Sequence, residues 1–285
     1  MTTVFDSRPC DLGEGPFWHP DRQQLFWFDI IGKRLLTQSA DGPQEWHFPE
    51  IVSAAGVIDR DTLMIASESA LFRFNLETGA KREIVALEAD NPNTRSNDGR
   101  ADPFGGFWIG TMGKSAEAGA GSIYRYYRGE LRLLYPNISI PNSICFPAHG
   151  RFAHFADSAA RCVMRVALNA DGWPKGEPET FLDLSADTPE PDGAVIDAAG
   201  TLWLAEWGGA RVRAFGPDGT LQHTVAFDAP HTSCPAFGGA NLSTLFCTSA
   251  LQGMDETACT ANPMAGMTFS ASTSAKGQPE NRVIL

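Results

Sequence analysis

The stretch Asp192-Gly193-Ala194-Val195-Ile196-Asp197-Ala198-Ala199-Gly200-Thr201-Leu202-Trp203-Leu204-Ala205 holds the pattern on which the fold turns. A polar residue opens a short apolar run, a turn signal falls seven positions later, and a second apolar run follows. Short apolar runs bounded by Gly or Pro read as strands. The same unit recurs along the chain, opening near Glu14, Ser53, Asp98, Asn142, Asp192 and Cys234. Its turn falls at Asp21, Arg60, Gly105, His149, Ala199 and Asn241 respectively. The units lie roughly forty to fifty residues apart, the length of a four-stranded propeller blade.

No segment carries a long helical stripe bounded by caps, so the chain reads as all-β. The expectation is one six-bladed β-propeller domain over residues 1–285. The last unit, with strands near 245–247 and 267–269, is one strand short, and Val4-Phe5 is the candidate to complete it. Closure of that kind removes two exposed sheet edges. A β-sandwich or two small β domains would be the other arrangements, but no Pro/Ser linker or charge run marks an internal boundary. The tail after Ser270 is polar and small, and reads as loose.

Composition narrows the function. Thirty-four acidic residues against 22 basic ones give a formal charge of −12. Nucleic acid and anionic membranes both require a basic face, so neither is expected as a partner. No apolar run reaches the roughly 18–20 residues that cross a bilayer. The first residues show no basic leader or apolar core, so a cytoplasmic protein is expected. Six scattered cysteines without a CxxC pair read as buried small hydrophobes. The six histidines (His19, His47, His149, His154, His223 and His231) lack ligand spacing and read as surface or satisfied structural residues. There is no GxSxG elbow, and Gly208-Gly209 and the Gly-rich segment 118–122 lie outside any βαβ unit. Trp18, Trp27, Trp108 and Trp203 read as core, and Trp207 as the tryptophan that faces a pocket.

In a propeller the innermost strands line the axis, so equivalent positions at their starts form a ring. Here the ring holds Glu14, Ser53, Asp98, Asn142, Asp192 and Cys234. Its carboxylates would repel one another unless a cation neutralised them. An oxygen-rich set without histidine suits Ca²⁺, Mg²⁺ or Mn²⁺ better than a structural zinc. The plain alternative is that Asn97-Asp98-Gly99 and Pro191-Asp192-Gly193 are ordinary turns bonding their own backbone.

These residues resemble the SMP-30/gluconolactonase/regucalcin-like family of sugar lactonases. The resemblance rests on Leu12-Gly13-Glu14-Gly15-Pro16, on Thr94-Arg95-Ser96-Asn97-Asp98-Gly99-Arg100 with Asp102-Pro103, and on Ile109-Gly110-Thr111-Met112. Pro141-Asn142-Ser143, Pro191-Asp192-Gly193, and Thr232-Ser233-Cys234 with Phe237-Gly238-Gly239 complete it in order. It implies that Glu14, Asn142 and Asp192 hold one divalent metal ion (Ca²⁺, Zn²⁺, Mn²⁺, Mg²⁺ or iron(II)). It further implies that Asp192 doubles as general base, that Arg95 and Asn97 hold a small sugar lactone, and that the reaction is hydrolysis to the aldonic acid. Asp98 would orient the ring from behind it. Two departures stand out. Gly113-Lys114-Ser115 replaces an acidic substrate contact found in some members, and Ser143 follows Asn142 where Gly is common.

Three protein ligands would leave coordination positions free for substrate and water. A metal there would polarise a carbonyl and make hydroxide available near neutral pH. Two other functions use the same ring: a non-catalytic metal-binding regulatory propeller, and a propeller esterase acting on a different, more apolar ester.

Overall fold

The computed structural model describes residues 2–39 and 41–285; Met1 and Ala40 lie outside the described residues. Six four-stranded antiparallel sheets follow one another as the blades of a six-bladed β-propeller. Their innermost strands are Gly13–His19, Val52–Val57, Thr94–Ala101, Pro141–Cys145, Glu190–Ile196 and Thr232–Gly238, in blades one to six. Each of the six expected ring positions falls in one of these strands, and each expected turn follows it. Among the described residues no helix is long and apolar enough to cross a membrane.

Blade six is closed as the repeat count required. Thr2–Asp6 pairs antiparallel with Thr268–Ser272, with Val4 opposite Phe269. Phe5 meets Phe246 edge-on at 4.8 Å and Trp27 at 6.2 Å, tying the first strand to blades six and one. A short helix, Glu256–Ala261, interrupts this blade and was not legible in the sequence. Asp255 caps it by accepting from the Ala258 amide, which satisfies one of the free N–H groups of the first turn.

The core is a set of apolar clusters, one between each pair of neighbouring blades. Trp108 of blade three, for instance, is fully buried and meets Phe146 of blade four edge-on at 5.5 Å. Burial of each such side chain contributes about 1.5–3 kcal/mol. Trp27, Trp108 and Trp203 are core as expected, and four of the six cysteines are buried and all six free. His154 departs from the expectation: it is buried, yet neither ring nitrogen has a partner among the described residues. The ring packs edge-on against Phe152 and Phe181, and apolar packing holds it where hydrogen bonds do not.

The tail is also unlike the expectation, being docked along most of its length. The Gly277 amide donates to Leu242 O of blade six, and Gly277 bridges Asp197 of blade five. Gln278 Nε2 donates to Phe146 O at 2.5 Å, and Glu280 pairs with Arg100 at 2.5 Å. Arg282 pairs with Asp21 at 2.7 Å, and Val283 is buried among blades two and three. The segment thus reaches all six blades. It does so at the end of the inner strands where the turns lie, opposite the end that carries Glu14 and Asn142. Polar composition concealed this because the anchors are backbone amides and ion pairs, with one buried apolar residue.

Candidate functional site

Every inner strand loses register with its neighbour at the ring position. The shifts fall between Glu14 and Phe17, Val52 and Ala54, Ser96 and Gly99, Asn142 and Cys145, Pro191 and Ala194, and Thr232 and Pro235. A bulge of this kind re-aims a side chain out of the pleat. Six of them bring residues distant in sequence to one point on the axis.

Backbone geometry shows why the local residues are what they are. Gly15 has φ of 54°, and a side chain there would come within 2.4 Å of Ser53 O. A Cβ on Gly193 would stand 2.3 Å from Cys234 Sγ, so that glycine is required by close approach. Ser143 carries a φ of 57°, a conformation that glycine adopts more readily. Its hydroxyl donates to Asp192 O at 2.5 Å, which offsets part of that cost and fastens blade four to blade five.

The mouth of the channel is a cavity of about 280 Å³. Glu14, Arg95, Asn97, Asn142 and Asp192 all line it. The structure therefore brings together five of the six site residues named from the sequence. Asp98 is buried but outside the lining; its Oδ2 accepts from the Ile144 amide at 2.7 Å and braces the strand that carries Asn142. Ser53 turns to Ser96 instead, hydroxyl to hydroxyl at 2.8 Å.

A chain of hydrogen bonds holds the polar groups. Arg95 Nη1 donates to Ser96 O and to Asn97 Oδ1, at 2.9 and 2.7 Å. Asn97 uses its amide hydrogens on Pro141 O and Asn142 Oδ1, at 2.9 and 3.0 Å. Asn142 Nδ2 donates to Ser158 Oγ at 2.8 Å, and that hydroxyl donates to Pro191 O. The order of the network runs from blade three through blade four to blade five. Asn142 Oδ1 keeps a lone pair, and Arg95 keeps its remaining N–H groups, for whatever enters the cavity.

The electrostatics are those of an excess of buried negative charge. Burial, with the Asp98 carboxylate adding to it, pushes the Glu14 carboxyl up to about 8. Asp192 is raised well above the usual carboxylate range by burial first and by Glu14 next. Burial lowers the Arg95 guanidinium to about 10 against the pull of Glu14 and Asp192. Among the described lining residues, Arg95 is the one cationic group facing these carboxylates and Glu190. A divalent cation fits this donor set: two carboxylates and an amide oxygen, converging, buried and short of positive charge.

Sequence reasoning missed several lining residues: Leu12, Met112, Ala116, Ile140, Ser158, Glu190, Gln252 and Gly253. Ser158 had a local signal, since Asp157 caps a single 3₁₀ turn there and accepts the Ser139 and Ile140 amides. Gln252 and Gly253 come from the loop before the unforeseen helix and had none. Trp207 lines the cavity as expected, stacked on His231 at 4.3 Å. Lys114 does not line it; its ammonium pairs with Glu68 at 2.5 Å.

Six blades around an axis whose mouth gathers buried carboxylates and an amide define the class of protein. The chain belongs to the SMP-30/Gluconolactonase/LRE-like family, which it matches over residues 12–251. It is 41% identical over 273 residues to a Rhizobium meliloti (strain 1021) protein that carries the name sugar lactone lactonase, covering 95% of this chain and 92% of that one. It is 36% identical to the L-arabinolactonase of Azospirillum brasilense, over 99% of this chain and 94% of that one. It superposes with a TM-score of 0.97 on the crystal structure of a calcium-binding protein, regucalcin, from Agrobacterium tumefaciens str. C58. That pair is 39% identical, with 99% of this chain and 97% of the other covered.

Proposed function

We propose that this chain hydrolyses a sugar lactone at the channel mouth, with one divalent metal ion held by Glu14, Asn142 and Asp192. The observation that carries the reading is the convergence of Glu14 and Asp192, from blades one and five, as buried carboxyls with raised pKa values. Structural residues seldom keep such a pair without a counter-charge. The names of the relatives, sugar lactone lactonase and L-arabinolactonase, support the substrate class.

A divalent cation at this position supplies Lewis-acid polarisation of a carbonyl. The rest falls to the chain's own groups. Asp192 in its ionised form accepts a proton from the attacking water, whose oxygen bonds to the carbonyl carbon. The ring C–O bond then breaks, and the alkoxide released takes up a proton to leave the hydroxy acid. Arg95 offers guanidinium N–H groups to the carbonyl or to ring hydroxyls, held in place by Asn97. Asn97 has both amide hydrogens engaged, so its part is to position Arg95 and Asn142 and to accept at most one further bond. Leu12, Met112, Ile140 and Trp207 form the apolar wall that limits water.

The test is proton release from a panel of aldonolactones after chelation, then with each divalent ion restored. Release that stops with chelator and returns with metal supports the reading and identifies the ion. A cation bound one-to-one with no turnover of any lactone would favour a binding protein instead, in keeping with the calcium-binding regucalcin of the same fold.

A further inference from the structure

Glu190 opens the inner strand of blade five, two residues before Asp192, and lines the same cavity. Its side chain is 36% exposed. The Arg161 guanidinium forms a long ion pair with Glu190 Oε1 at 3.6 Å, beyond hydrogen-bonding distance and from outside the cavity lining. The carboxylate therefore keeps its acceptor sites for a ligand. Around it the rim is otherwise neutral: Trp207 backed by His231, with Gln252 and Gly253. Lys114, the cation that sequence would place near a substrate, is turned away to Glu68. Among the described residues the cavity's one cation, Arg95, sits deep beside Glu14 and Asp192.

Resting on the lactonase reading, we propose that Glu190 is a specificity residue that selects neutral polyhydroxylated lactones and rejects those with an anionic distal group. With the lactone carbonyl at Asp192 and Arg95, the far end of the sugar reaches the rim. There a carboxylate accepts hydrogen bonds from a pair of vicinal hydroxyls. A carboxylate, phosphate or sulfonate in the same place meets like charge in a half-buried site, which the long, exposed Arg161 pair offsets only in part. Selection of this kind comes as much from repelling the wrong ligand as from binding the right one. The apolar face of Trp207 adds contact with the C–H side of a sugar ring and is indifferent to the distal charge.

The experiment compares a neutral 1,4-aldonolactone with the same lactone whose terminal CH₂OH is oxidised to carboxylate, on the metal-loaded chain and on Glu190→Gln. The wild-type chain should prefer the neutral lactone in kcat/KM by about tenfold or more, as expected for a charge-assisted contact against a like-charge clash. Glu190→Gln, which keeps shape and removes charge, should close that gap, with most of the change in KM. Arg161→Gln should widen it. A preference for the neutral lactone in Glu190→Gln that stays within about twofold of the wild-type preference overturns the proposal, since a tenfold charge effect must shrink when the charge is removed. Calorimetric titration with the ring-opened mono- and dicarboxylates reads the same discrimination as affinity, even if the chain turns over neither lactone. Loss of all turnover with discrimination intact would sink the lactonase reading alone. Equal affinity of both acids for wild type and Glu190→Gln would sink this one.

Discussion

Ser143 shows how much a single side chain holds at this site. It sits in the left-handed region at φ of 57°, where a non-glycine residue costs about 1 kcal/mol, and it returns a hydrogen bond to Asp192 O. Ser143→Gly drops both effects together, whereas Ser143→Ala keeps the strain and loses the bond. Urea unfolding should therefore find Ser143→Ala about 1 kcal/mol less stable than Ser143→Gly. The reverse order would mean that the left-handed backbone at this position carries no strain. The carboxyl pair carries a different expectation. Glu14 is raised to about 8, so its acid form predominates at pH 7. Cation binding at that pH should expel protons, with affinity rising as pH climbs towards about 8. Titration in buffers of different ionisation heat measures the proton count, and a count of zero would contradict the ligand assignment. Asp192→Asn should lower kcat by about 10²–10⁴-fold with the melting temperature unchanged or raised. Retained turnover would remove Asp192 from its role as base.

At the level of the element, strand Phe152–Asp157 places His154 where water and partners are excluded. Burial first, then the Arg165 cation across the sheet, lowers its pKa from 6.5 to about 3. The unfolded chain binds a proton at the higher value and the folded chain does not. The stability associated with neutral His154 is therefore complete above 6.5 and is lost as pH falls towards 3. The slope over that window approaches about 1.4 kcal/mol per pH unit. Wild type should lose stability relative to His154→Leu as the pH falls across this range, read from the melting temperatures of the two. Parallel curves would show that the histidine is hydrated or protonated in the folded chain.

At the level of the whole molecule, the C-terminal strap binds to the blades at the end of the propeller opposite the site. Glu280 pairs with Arg100, whose side chain is 10% exposed, and Asn281 and Ile284 bond to the backbone of blade three. Glu280→Ala leaves that guanidinium buried with less compensation and should destabilise the fold by about 3 kcal/mol. A change in unfolding free energy below about 0.5 kcal/mol, the size of an ordinary surface effect, would show that the strap rests on the propeller without bracing it.

What the amino-acid sequence determined by itself is the repeat, the blade count, the closing strand and the inner position of Glu14, Asn142 and Asp192. These follow from local physics: side-chain alternation, turn chemistry and a spacing that any one blade must keep to bury its faces. The Arg95–Asn97 pair was legible through its motif, though its hydrogen-bonded commitment to Asn142 was not. Tertiary structure alone decided the rest. Bulges six times over aim the ring inward, and Ser158, Glu190 and Gln252 meet the site only because blades four, five and six converge there. The strap looks loose in sequence because its anchors belong to other blades, as do the backbone oxygens and carboxylates that receive it. Contacts between residues more than a hundred positions apart, such as Arg100 with Glu280, leave no periodic trace in either partner. They arise from the closing of the ring, which fixes at once which side chains share its axis.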